Sequence, residues 1–229
     1  MVLTPQAFVA ELDAQNRAAL ERIATVNASP PRSVRELPVP PSEALSVARL
    51  LKLALRNEIE ATECAAAWIP TTPEIEAKLA FARQVGDEAK HYRLIEKRLV
   101  EMGVDLAGFD PFASGRSPLL GYLLELEGTV ARVAAGPFTR EALALVRNDE
   151  FARYCESSGD PASAALYQDI IQKDEQYHHE LGRRLLLKFA TTEDGQDAAR
   201  LASRRVLELA EELQEVARMK SGIAHAPGC

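Results

Sequence analysis

Cysteine is scarce. The three in the chain, Cys64, Cys155 and Cys229, are too few and too far apart for a disulfide framework or for a zinc site built on paired cysteines. Cys64 and Cys155 read as core-filling thiols. No apolar run approaches the roughly 20 residues of a membrane span. The N-terminus, MVLTPQAFVAELDAQ, carries acids where a secretory signal has bases and an apolar core. A cytoplasmic location is therefore expected. Twelve glycines and 13 prolines in 229 residues are too few for a fibrous or disordered chain. Strand signals are nearly missing as well. There is no sustained period-two run, and no Asn-Gly or Asp-Gly pair sits between alternating apolar residues. An excess of basic residues is also lacking: 27 Lys and Arg against 34 Asp and Glu give a net charge of −7. That balance offers no general electrostatic attraction for nucleic acid.

What is present is helix. Stretches rich in Ala, Leu, Glu and Arg dominate, with 47% hydrophobic residues overall. The pattern predicts a first helix from Pro5 to Val26, then an extended connector carrying Pro30, Pro31, Pro38, Pro40 and Pro41. Ser42 is placed to cap a second helix that reaches Ile69. Pro70-Thr71-Thr72-Pro73 turns the chain into a third helix from Glu74 to Met102, stopped by Gly103. After a loop from Val104 to Ser117, a fourth helix is expected from Pro118 to Ala134, ended by Gly136-Pro137. Thr139 would cap a fifth, ending near Ser157. A corner at Ser158-Gly159-Asp160-Pro161 opens a sixth helix to Phe189, and a seventh runs from Asp194 to Met219. The tail SGIAHAPGC reads as unstructured. The expectation is one all-α domain over residues 1–229. Its core is 42–190, with an N-terminal helix and Pro-rich arm at 1–41 and a C-terminal helix and tail at 191–229. Two helical hairpins within that core repeat each other weakly, Arg56-Asn57-Glu58 echoing Arg147-Asn148-Asp149.

The chemistry concentrates in two Asp-Glu-x-x-His motifs, Asp87-Glu88-Ala89-Lys90-His91 and Asp174-Glu175-Gln176-Tyr177-His178. An i, i+3 pair puts carboxylate and imidazole on one helix face, where both can grip a single metal ion. One such motif means little; two at equivalent places in two hairpins mean much more. Helical periodicity sharpens this. Val47, Leu50, Leu51, Ala54, Ala61, Ala65, Trp68 and Ile69 form one apolar stripe, and Glu58 lies in its middle. An unpaired carboxylate there would cost several kcal/mol, so something must satisfy it. Glu88 shares a stripe with Phe81, Val85, Tyr92, Ile95 and Leu99, and Glu175 and His178 share one with Ala164, Ile171, Leu185 and Phe189. Other acids have duller readings: Glu60, Glu63, Asp169 and Glu180 as solvated, and Glu125 and Glu127 as part of a packing helix. His179 reads as exposed rather than as a ligand.

Paired Glu-x-x-His motifs with a further inward Glu resemble the ferritin-like di-iron carboxylate superfamily. Its sites take one Glu from each of two helices and a Glu-x-x-His from each of two others. The stretch QVGDEAKH is similar to bacterial multicomponent monooxygenase hydroxylases. The hairpins and the ending Glu101-Met102-Gly103-Val104-Asp105-Leu106 resemble the tRNA-modifying di-iron hydroxylases. The resemblance spans residues 42–190 and implies a ferritin-like antiparallel four-helix bundle with extra N- and C-terminal helices. Its implied metal ligands are Glu58, Glu88, His91, Glu175, His178 and a fourth carboxylate, for which three candidates stand. Helix phase favours Glu150, on a stripe with Leu143, Val146 and Tyr154; the internal echo favours Asp149; counting back from the second motif (175 − 141 = 34) favours Glu141. Glu150 is the first choice.

Such a donor set suits iron or manganese. The function implied is an O2-dependent oxidoreductase holding two Fe ions, a hydroxylase or oxygenase acting on a small or tethered organic substrate and fed by an electron-donor protein. Trp68, Phe81, Tyr92, Phe151 and Tyr167 are the expected apolar lining of its substrate cavity. A tRNA substrate follows from the resemblance alone and gains no support from the charge. The alternative is a rubrerythrin- or ferritin-like iron-binding or peroxide-handling protein. It is weakened by the absence of a Cys-x-x-Cys module and by the second complete Glu-x-x-His. A monomer or homodimer without membrane association is expected.

Overall fold

The computed structural model describes residues 1–27, 46–221 and 226–228. It is all-helical, with no strand among the described residues. The helices are α1 (Pro5–Asn27), α2 (Val47–Trp68), α3 (Ile75–Glu101), α4 (Pro118–Glu125), α5 (Thr129–Val133), α6 (Glu141–Ser157), α7 (Pro161–Leu166), α8 (Gln172–Phe189) and α9 (Glu193–Ser221). Two π-helical segments, π1 (Ala134–Arg140) and π2 (Tyr167–Ile171), join α5 to α6 and α7 to α8 without a break. No helix among the described residues is long and apolar enough to cross a membrane.

Local chemistry sets the boundaries. Ser46 caps α2, its hydroxyl accepting from the Arg49 backbone N–H; the expected cap, Ser42, lies outside the described residues. Helices α3 and α6 end alike. Gly103 and Gly159 take φ of 78° and 79°, and the next amide turns back to the helix, Val104 N to Leu99 O and Asp160 N to Cys155 O. Proline starts α4 and α7 behind the side-chain caps Ser117 and Asp160.

The expected helix end at Gly136-Pro137 is corrected. The break falls instead at Gly128, with φ 77°, and a new helix runs from Thr129 through Pro137 into α6. Proline lacks an N–H and its ring crowds the carbonyl one turn back, and a wider π turn relieves both. Thr139 is consequently no cap: buried in π1, it donates to Ser203 and accepts from Asn16. Glycine makes the segment fit. A Cβ on Gly136 would stand 2.8 Å from the Trp68 ring, and one on Gly182 would stand 2.7 Å from the backbone of Pro137 and Phe138. Helix α8 therefore lies almost backbone to backbone on π1. Gly182→Ala should lower the melting temperature by about 5 °C, an overpacking penalty of about 2 kcal/mol in a chain of this size. A thermal melt within 1 °C of wild type would show that this contact is loose.

Helices α2 and α3 form one hairpin, α6 and α8 pack as the other, and α3 meets α8 between them. Helix α9 covers α5 and π1, and α1 lies on α8 and α9. The apolar core is split. Of its two large clusters one holds Trp68, Phe81, Phe138, Leu185 and Leu186 and the other holds Leu51, Ile95, Phe151, Tyr167 and Ile171, while a small patch of Ala19, Ile23, Leu143, Leu207 and Ala210 lies apart. Along α2, along α3, along the continuous π1–α6 and along the continuous π2–α8, a polar layer separates the residues that feed one of these large clusters from those that feed the other. Cys64 and Cys155 are buried free thiols, one in each large cluster.

Of the tail expected to be unstructured, residues 226–228 are described, without regular secondary structure but packed against the helices. Pro227 and Gly228 are buried. Asn57 donates to the Pro227 carbonyl at 2.9 Å, and the Gly228 N–H donates to Asn148 at 2.7 Å. The two asparagines of the internal echo thus hold the chain end between α2 and α6.

Candidate metal centre

The polar layer between the two clusters contains four buried glutamates and two buried histidines. Glu58 comes from α2, Glu88 and His91 from α3, Glu141 from the start of α6, and Glu175 and His178 from α8. Their donor atoms fall into two groups, each within 4.8 Å throughout: Glu58, Glu88, His91 and Glu175, and Glu88, Glu141, Glu175 and His178. Glu88 and Glu175 belong to both.

Both histidines present Nδ1 to the carboxylates. His91 Nδ1 lies 3.3 Å from Glu88, 3.4 Å from Glu58 and 3.8 Å from Glu175. His178 Nδ1 lies 3.2 Å from Glu175 and 3.8 Å from Glu88. Their Nε2 atoms are crossed between the motifs: His91 meets Asp174 at 3.1 Å, and His178 meets Asp87 at 3.1 Å. Each motif's aspartate thus holds the other motif's imidazole. Arg83 and Lys90 in turn pair with Asp87, and Lys90 also with Asp174. An Nε2–H donated to aspartate leaves the Nδ1 lone pair facing the layer, the arrangement that orients a histidine for a metal ion. Asp87→Ala or Asp174→Ala should weaken metal binding by about 10–100-fold without removing a ligand. Titration with manganous ion measures this, and an unchanged affinity would refute the orienting role.

The charges do not balance among the side chains alone. Four carboxylates face two imidazoles and the Arg140 guanidinium, so even with both rings protonated one negative charge remains in a dry layer. Burial accordingly pushes Glu58 up to about 7, against the opposing hydrogen bond from His91. Burial, then the neighbouring carboxylates, pushes Glu141 and Glu175 well above the usual carboxylate range. Burial acts on Glu88 in the same direction, but the His91 hydrogen bond and the charges of His178 and His91 outweigh it and hold Glu88 at about 2. Burial would lower His91, yet the hydrogen bonds to Glu58 and Glu88 carry it to about 12. Two divalent cations would supply four positive charges to set against the four carboxylates. The donor set, oxygen-rich with two imidazoles, suits iron or manganese and not a soft metal. These buried groups can hold a metal ion. Gln84, also buried, donates to both Glu88 and Glu141, and Arg140, buried beside Glu141, reaches the Asn57 carbonyl at 3.4 Å.

No protein-family model matches the chain, and no curated protein or solved structure matches it.

Of the sequence-derived residues, Glu58, Glu88, His91, Glu175 and His178 come together in this layer. Glu150 does not: nine residues beyond Glu141 on the same helix, it sits about 13 Å farther along the axis and is half-buried outside both groups. Asp149 is exposed and pairs with Arg153. The fourth carboxylate of the layer is Glu141. The favoured phase failed because it started a new helix at Thr139, whereas π1 carries one helix through and sets Glu141 on the inner face. Glu60 is not solvated either. It is buried, and it accepts from Arg56 and from the Ser117 backbone and hydroxyl. His179 is half-buried, its ring stacked on Phe138 and its Nδ1 at 2.7 Å from the Phe138 carbonyl. Trp68 and Phe81 pack on each other in one cluster, while Phe151 and Tyr167 pack edge to face in the other, with half-buried Tyr92 against it. Tyr167 is fully buried, and its hydroxyl has no hydrogen-bond partner among the described residues. Such a group costs about 1–3 kcal/mol.

Proposed function

We propose that the chain is a ferritin-like di-iron carboxylate protein, an O2-dependent oxidoreductase of the hydroxylase or oxygenase type. In this reading α2, α3, α6 with π1, and α8 are the four bundle helices, and α1 and α9 are additions. The observation that carries it is the pair of ligand groups sharing Glu88 and Glu175, each with its own histidine and its own further glutamate, Glu58 with His91 and Glu141 with His178. Shared carboxylates are how a protein holds two ions about 3.5–4 Å apart. A reduced iron pair supplies two electrons to O2.

The side chains have distinct tasks. Glu88 and Glu175 would bridge, and Glu58, Glu141 and the two Nδ1 atoms would each take one ion. Asp87 and Asp174 keep the imidazoles in the tautomer that leaves Nδ1 free. Metal held here would compete with the protons that burial favours on Glu58, Glu141 and Glu175. The apolar clusters on either side exclude water and keep the layer at low dielectric. An electron donor would restore the reduced state between turnovers, and the substrate is an organic molecule small enough, or tethered suitably, to reach the layer. Manganese in one or both positions is compatible with the same donors.

Ferrous-loaded protein prepared without oxygen tests the proposal. On exposure to O2 it should oxidise about two irons per chain and stop until reductant is added. Continued uptake of hundreds of irons would favour the storage reading, and rapid turnover of hydrogen peroxide without oxygen uptake would favour the rubrerythrin-like one.

A further inference from the structure

Tyr167 is the first residue of π2, and it shares one helix face with Ile171, Glu175 and His178. It belongs to the apolar cluster immediately against the metal layer. Its ring is held edge to face on Phe151, with centroids 4.8 Å apart. All of the side chain is buried, yet its hydroxyl finds no donor or acceptor among the described residues. Burial raises its pKa first, followed by the charges of Glu58, Cys155 and Glu175, so two carboxylates of the layer lie within electrostatic reach of the phenol. Nothing in the packing of the described residues accounts for a tyrosine here, since phenylalanine would fill the same space without a stranded hydroxyl. An orphaned donor beside such a layer would have a natural recipient in a small ligand bound to the ions that the layer could hold.

We propose that Tyr167 is a positioning residue whose phenol donates a hydrogen bond to the small exogenous ligand, a water, hydroxide or small anion, bound on the Glu58 and Glu175 side of the metal pair. The inference rests on the di-iron reading. It commits Tyr167 to an orienting role toward the bound ligand, not to holding metal.

The test uses the full chain loaded with iron and oxidised, with azide as the probe. Azide affinity is read from the absorption that appears when azide binds ferric ion, in wild type and in Tyr167→Phe. Metal content and the melting temperature of the metal-free protein are measured beside it. The expected result is azide binding weakened by about tenfold, equivalent to about 1.4 kcal/mol. Iron content should stay unchanged, and the metal-free melting temperature should be equal to or above that of wild type. Equal azide affinity in the two proteins would overturn the proposal while leaving the metal centre intact. A metal-free variant melting several degrees lower would also overturn it, by making the hydroxyl structural. Wild type that takes up no iron would remove the metal reading and this proposal together.

Discussion

Glu141→Ala should lose one of the two metal ions, its affinity falling by more than about 100-fold, while Glu150→Ala should bind both as wild type does. The size follows from ligand against supporting group: disturbing a residue that merely orients a metal ligand typically costs 10–100-fold, so removing a ligand costs more. The asymmetry follows from position. Glu141 is buried among Glu88, Glu175 and His178, and Glu150 stands more than two turns away along the same helix. Glu141→Ala should keep the fold, because burial disfavours the charged form of the carboxyl that it removes. A buried ion-pair network without metal predicts the reverse. There, Glu141→Ala would change thermal stability with no metal binding to lose. Metal titration of the two variants with elemental analysis separates the two accounts.

Metal should stabilise the protein increasingly as pH rises from 5 to 8. In the metal-free protein Glu58, at about 7, and Glu141 and Glu175, also raised, bind protons in the folded state that they have lost in the unfolded chain. Stability therefore falls as pH rises from about 4.5 through those folded values. His91, raised to about 12, adds stability that is fully present below the ordinary histidine range and lost as pH climbs above it. Glu88, lowered to about 2, acts oppositely. Its contribution is present above the ordinary carboxylate range and is lost only as acid approaches its folded value. The metal-free protein should therefore melt highest in weak acid and progressively lower toward pH 8. Metal needs those same carboxylates ionised and the imidazoles neutral, so its affinity rises over the same interval. A ligand at about a thousand times its dissociation constant adds about 4 kcal/mol, or about 10 °C in a chain of this size. Melting curves with and without manganous ion at pH 5, 6, 7 and 8 should diverge steadily. A gap independent of pH would mean that metal binds elsewhere.

The site was legible where a residue's role follows from its own helix. The i, i+3 spacing of Glu88 with His91 and of Glu175 with His178, and the lone Glu58 within an apolar stripe, need only a helix to be recognised. The aspartates before each glutamate were visible, but their partners were not: Asp87 serves His178 and Asp174 serves His91, a crossing that appears only once α3 and α8 pack together. Glu141 was obscured by Gly136-Pro137, a pair that ordinarily ends a helix. The helix continues through that pair because of a π turn and because Gly182 of another helix, 45 residues beyond Pro137 (182 − 137 = 45), admits the backbone. Glu60 was misread for a similar reason, because Ser117, which satisfies it, lies in a distant loop. The echo of Asn57 and Asn148 was visible as a repeat, but what the pair holds, the carbonyl of Pro227 and the amide of Gly228, is set by where the chain end returns.

The central claim is that the buried glutamates and histidines hold two ions, one on either side of Glu88 and Glu175. Anomalous diffraction from crystals grown with manganous or ferrous ion tests it most directly. Two peaks about 3.5–4 Å apart are predicted, one beside Glu58 and His91, the other beside Glu141 and His178. A layer with no anomalous peak, its carboxylates hydrogen-bonded to one another and to protonated imidazoles at saturating metal, would contradict the account.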